Sequence, residues 1–89
     1  MSKSNEKYIV YYVGKYPDTA WILDESRGLM KLYGYWSQDE DNKNKRNFVE
    51  PTKSRVLHID NVDKLAEVMK IDKKYIKVMN KEDFFLVML

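Results

Sequence analysis

A chain of 89 residues is long enough for one folded domain and too short for two. At 44% hydrophobic and 13% aromatic it is too rich in core-forming side chains to stay disordered. The absence of Cys excludes disulfides, thiolate nucleophiles and Cys-ligated zinc together, and in so small a domain it points to the reducing cytoplasm rather than to secretion.

The first residues, 1–6, hold no apolar stretch of the kind a signal peptide needs. No segment approaches the roughly 20 apolar residues of a membrane span, so no membrane role is expected. The net charge of +2 is carried mostly by Lys, with arginine only at Arg27, Arg46 and Arg55. That is a weak signature for nucleic-acid readers, which favour arginine. Frequent Lys, Asn, Tyr, Ile and Asp suit an AT-rich coding sequence, as in small accessory genes of bacteria and phages.

Residues 7–13, Lys-Tyr-Ile-Val-Tyr-Tyr-Val, are β-branched and aromatic without a breaker and predict a strand. Ile9, Tyr11 and Val13 share one face and Tyr8, Val10 and Tyr12 the other. Both faces are apolar, so the strand is expected inside a sheet. Gly14 and Pro17-Asp18 predict a turn, and residues 19–23 a second strand. The polar run 24–28 ends in Gly28, which can supply the positive φ of a hairpin loop. Residues 29–36 return as a third strand. Strict alternation would put Met30, Leu32 and Trp36 on one face and Lys31, Tyr33 and Tyr35 on the other.

Residues 37–47 carry no apolar side chain, with acids first (Asp39, Glu40, Asp41) and bases after (Lys43, Lys45, Arg46), and predict an exposed, mobile loop. Phe48-Val49 would pin its far end, and Pro51 argues against a central strand there. Residues 55–59 are a fourth strand candidate. Asp60 or Asn61 can then cap a helix whose Val62, Leu65, Ala66 and Met69 make one apolar stripe. Asp63 and Lys70 suit the two ends of its dipole.

Two readings remain open for residues 75–79. As a strand, they would turn through residues 80–83 into the apolar tail 84–89. That tail is expected to be a buried strand, or one covered by a partner such as a second copy. As a helix, they would complete a pair. Leu65, Ala66, Met69, Ile71, Ile76 and Met79 form a spacing that resembles the helix-turn-helix family. The resemblance covers residues 62–79 and implies DNA contacts from Lys73, Lys74 and Lys77. It departs from the family's pattern at Lys70, where glycine is usual. The strand reading is preferred.

Candidate chemistry is sparse. His58 is the lone histidine and reads as a strand residue facing solvent or a neighbour. Asp24-Glu25 and Asp39-Glu40-Asp41 fall in predicted loops, where water keeps carboxylates ordinary. Gly14, Gly28 and Gly34 make no phosphate-cradling spacing. No catalytic residue, metal ligand or cofactor is therefore expected, and the chain reads as a non-enzyme. The candidate binding surface is the basic half of the loop, Lys43, Lys45, Arg46, Lys53 and Arg55, beside Tyr35 and Trp36. Cations next to flat rings can grip an acidic protein or single-stranded nucleic acid, RNA more than DNA.

The expectation is one α+β domain, a mostly antiparallel sheet of four to six strands against one helix. Its core would be Trp21, Leu23, Met30, Leu32, Leu57, Ile59, Leu65 and Met69. In function it would be a small accessory or inhibitor protein binding a protein or ribonucleoprotein, with a nucleic-acid-binding regulator as the alternative.

Overall fold

A computed structural model describes residues 6–88. Among these, six strands form one antiparallel sheet in the order β4-β3-β2-β1-β6, with β5 on the same side of β3 as β4. The strands are β1 (Lys7–Val13), β2 (Tyr16–Asp24), β3 (Leu29–Gln38), β4 (Arg46–Val49), β5 (Val56–Leu57) and β6 (Ile76–Met79). Helix α1 (Val62–Met69) follows β5, and α2 (Lys81–Met88) follows β6. The α+β class and antiparallel sheet are as expected, and the sheet is covered from both sides. Neither helix is long and apolar enough to cross a membrane.

β1 lies between β2 and β6, as its two apolar faces require. Ile9 and Tyr11 join α1 on the first face, and Tyr8, Val10 and Tyr12 join α2 on the second. The β1–β2 turn is tighter than expected. Gly14 and Lys15 alone make it, with Gly14 at φ 63° and Val13 paired with Tyr16. Positive φ at the first of two central residues suits glycine and matches the twist of a hairpin. Pro17 and Asp18, expected in the turn, sit inside β2, where the register shifts between Tyr11 and Tyr12. Such an irregularity is where a sheet tolerates proline.

The β2–β3 loop behaves as the sequence suggests. Gly28 takes φ 67° and donates its N–H to the Glu25 carbonyl at 3.3 Å. Asp24 accepts from the Ser26 hydroxyl at 2.7 Å and the Arg27 N–H at 3.2 Å. The Ser26 bond, with help from Arg27, holds the Asp24 carboxyl below the usual carboxylate range.

β3 departs from strict alternation. Trp21 pairs with Leu32 but Ala20 pairs with Gly34, so Tyr33 is an extra residue on β3. One extra residue reverses the phase of everything beyond it. Met30 and Leu32 remain on the first face, whereas Trp36, expected with them, packs into the second.

All eight expected core residues belong to the first cluster: Trp21, Leu23, Met30 and Leu65 are buried, and Leu32, Leu57, Ile59 and Met69 pack against them. Asn61, not Asp60, caps α1, its side chain accepting the Lys64 N–H at 2.8 Å. At the other end Lys70 is left-handed at φ 58°, and the N–H groups of Lys70 and Ile71 turn back to the Glu67 and Ala66 carbonyls. Lys70 is thus the C-cap of α1, with its charge at the negative end of the dipole as expected. A β-carbon in this conformation costs about 1 kcal/mol or more, partly offset in glycine by its more flexible unfolded chain. Lys70→Gly is therefore expected to raise Tm by a few degrees in calorimetry, and a lowered Tm would contradict the assignment.

The tail is the main correction. Residues 84–88 belong to α2, not to a strand, and Leu89 lies outside the described residues, as does the start of the chain through residue 5. Asn80, expected in a hairpin turn, starts the helix: its side chain accepts the Asp83 N–H at 2.8 Å and its carbonyl the Phe84 N–H at 3.0 Å. Glu82 and Asp83 lie in the positive first turn. Phe84 is fully buried in a second cluster with Tyr8, Val10, Ala20 and Trp36. Ahead of β6, a 3-10 turn at Lys73–Tyr75 stands where a second helix of a helix-turn-helix would begin, and residues 76–79 are strand.

Candidate functional site

Strand direction alternates through the sheet, so the β1–β2 turn, the β3–β4 turn and the start of β6 share one end. The pairings Ile76–Tyr11, Tyr11–Thr19, Thr19–Tyr35 and Tyr35–Val49 run across it as one row. This brings the basic loop and part of the lysine set near β6 to the same end of the molecule.

The loop expected over residues 37–47 is shorter than that. Ser37 and Gln38 belong to β3, and Arg46 and Asn47 to β4, paired in register. The remaining turn is built from its own polar groups. Asp39 N–H donates to the Lys45 carbonyl at 3.0 Å, and Lys45 N–H to the Asn42 carbonyl at 3.0 Å. Gln38 Nε2 donates to the Lys43 carbonyl at 3.0 Å. Asp39 accepts from the Asp41 N–H at 2.8 Å and from Asn47 Nδ2 at 3.2 Å. The Asp41 N–H first, and then Asn47, pull the Asp39 carboxyl below the usual range.

A depressed folded pKa means this support is complete above the unfolded carboxyl value, near 4, and is lost as pH falls through the lower folded value. An NMR titration should show the Asp39 carboxyl and the Asn47 side-chain amide shifting together, with a midpoint below that of a free aspartate. A midpoint at the ordinary value, or independent shifts, would refute the linkage.

The sequence-chosen residues divide into groups. Trp36 is 7% exposed and packs edge-on to Phe48, with ring centroids 4.8 Å apart. Tyr35 is 41% exposed, in the row with Thr19 and Tyr11 on the opposite, α1 face. The two rings therefore do not make one platform. Lys43 and Lys45 are exposed on the turn, and Arg46 is half-buried. Lys53 and Arg55 are exposed elsewhere: the Arg55 carbonyl accepts the Leu32 N–H at 2.9 Å. Six residues of strand, about 20 Å, separate Leu32 from the Gln38 end of β3.

Lys73, Lys74 and Lys77 do not share a helix. Lys73 is paired with Asp63 at 2.8 Å, Lys74 lies 5.2 Å from the Tyr75 ring centroid, and Lys77 on β6 lies 5.1 Å from that of Tyr12. The Arg46 guanidinium sits 4.6 Å from the Tyr16 ring centroid. Three cation–tyrosine pairs thus mark one end of the sheet. The sequence held their residues but not their pairing, because each pair except Lys74–Tyr75 spans strands distant in the chain.

Beside Arg46 the second face opens into a groove of about 620 Å³. Trp36, Arg46 and Phe48 line it from the sheet, Val87 and Met88 from α2, and Asn42 and Lys45 from the turn. Val87 and Met88 were missed as site residues because their segment was read as a strand. Among the described residues, no three His, Asp or Glu side chains gather as a metal site would require, and His58 is exposed. What the arrangement offers chemically is positive charge beside an apolar floor. Comparisons with protein-family models, with curated proteins and with solved structures find no match.

Proposed function

We propose that this chain is a small cytoplasmic binding protein without catalytic activity, an accessory or inhibitor protein of bacterial or phage type. It acts stoichiometrically by gripping the acidic surface of a protein or ribonucleoprotein with the turn end of its sheet. The observation that carries this reading is Arg46, held over Tyr16 beside the groove, with the Lys77–Tyr12 and Lys74–Tyr75 pairs across the sheet at the same end. A cation held on an aromatic face by about 0.5–1 kcal/mol is pre-positioned for a partner's carboxylate.

Free nucleic acid fits less well. Trp36 and Tyr35 lie on opposite faces, so the two rings offer no platform on which successive bases could stack.

Replacing Lys43, Lys45 and Arg46 together by Ala is expected to abolish capture of the native partner from host extract. Tm should fall only slightly, because Lys43 and Lys45 are exposed charges that contribute little to folding and half-buried Arg46 gives up one cation–π contact worth about 0.5–1 kcal/mol. Nuclease treatment should leave wild-type capture intact. Retained capture by the triple variant refutes the reading. Loss of wild-type capture on nuclease treatment, with a log-affinity against log-salt slope of about 0.7 to 0.9 per phosphate contact, would replace it with the nucleic-acid alternative.

A further inference from the structure

We infer that the groove beside Arg46 takes a short, extended, acidic segment of a partner protein, with one apolar side chain seated on Trp36 and Phe48 and a carboxylate on Arg46. This rests on the binding role proposed above and names the part of the partner that the site holds.

Arg46 is oriented and, among the described residues, has no carboxylate partner. Its Nη1 donates to the Lys43 carbonyl at 3.4 Å, and its guanidinium lies over the Tyr16 ring. No carboxylate among the described residues pairs with it, whereas Arg27 has Asp24 at 3.6 Å and Lys73 has Asp63 at 2.8 Å. Of the three acids of its own turn, Asp39 is engaged by the Asp41 N–H and Asn47, and neither Glu40 nor Asp41 forms an ion pair with Arg46. A held guanidinium with spare donors suits a carboxylate, which it can meet with two parallel hydrogen bonds.

The floor supplies the second requirement. Trp36 and Phe48 are apolar, and Met88 closes the α2 side while remaining 37% exposed. A space of about 620 Å³ admits one large side chain with its neighbouring backbone. The third requirement is backbone pairing. Among the described residues β4 is the outermost strand on its side and pairs only with β3, which leaves its outer edge to an added strand. Side chains of such a strand alternate, and those on the second face would fall beside Arg46 and Phe48.

The test uses the full chain and NMR. A short capped peptide with glutamate and phenylalanine two residues apart and serine between them, so that both side chains fall on one face of a strand, is titrated against it, then the same peptide with glutamine for glutamate, and then a short oligouridylate. The acidic peptide should shift the Trp36 indole N–H, the Arg46 Nε–H and the Asn47 side-chain amide together. The glutamine peptide should bind at least tenfold more weakly. Arg46→Ala should weaken the acidic peptide by roughly tenfold or more, as loss of a charge-assisted pair predicts. Met88→Asp, a change at a partly exposed position, should do so by repulsion while the remaining spectrum stays unchanged.

Shifts centred elsewhere, equal binding of the glutamine peptide, or no shift at millimolar peptide would overturn the inference. So would an oligouridylate that moves the same signals at lower concentration. If the triple Ala variant loses the native partner but the peptide leaves Trp36 unmoved, the binding role stands and the acidic segment falls. If the triple variant keeps its partner, the binding role itself falls.

Discussion

Phe84→Ala is expected to destabilise the protein by about 3–5 kcal/mol, most of what a domain of this size has to lose. The reason is where the ring sits. Phe84 is fully buried, stacked on Tyr8 at 4.5 Å between ring centroids and 11° between planes. Tyr33, Trp36 and Phe48 surround it at 5.5, 6.0 and 6.2 Å. It is the main anchor of α2 on the second face, and α2 is too short to persist as a helix without that packing. Removing the ring leaves a cavity walled by large rigid side chains that cannot collapse into it. Thermal unfolding should show Tm lower by about 15 to 30 °C. Leu86→Ala is the control: Leu86 lies on the same helix, is 68% exposed, and should change Tm little. Equal effects of the two substitutions would mean that the tail is held by something other than Phe84.

Gly34→Ala is expected to cost about 2–3 kcal/mol, although it adds a single methyl group. Gly34 lies on β3 beneath the Phe48 ring of β4. A β-carbon there would stand 2.7 Å from Phe48 Cε2, closer still to Phe48 Cζ, and 2.7 Å from the Val49 carbonyl oxygen. The ring cannot swing away freely, because Trp36 and Tyr33 flank it at 4.8 and 5.4 Å. The carbonyl belongs to the backbone and moves only if β4 moves. The substitution should therefore lift β4 from β3 and displace Arg46 from Tyr16, so that partner capture falls along with Tm. A double-mutant cycle isolates the cause. Phe48→Ala is itself destabilising, but combined with Gly34→Ala the costs should sum to less than the two alone. Strict additivity would show that the ring is not what meets the new methyl group.

Much of the architecture is local and was therefore readable from the sequence. Alternation assigned both faces of β1, Gly28 marked its loop, and the stripe from Val62 to Met69 with Asn61 before it defined α1. The same patterns found eight residues of the first core, though not the buried Ile9, Ala66 and Ile76, because strand and helix periodicity report directly which side chains face inward.

The second core was decided by tertiary structure. An apolar run such as 84–88 has no period to separate strand from helix, and the signals in its favour, Asn80 and the acids of the first turn, are equally good turn residues. Nothing local announces the extra residue at Tyr33 either, since a bulge is a relation between two strands; yet it alone moves Trp36 from the first face to the second. The candidate site follows the same division. Its charges were visible along the chain, but the pairing of Arg46 with Tyr16 and of Lys77 with Tyr12 depends on strand order, which brings together residues that sequence separation keeps apart.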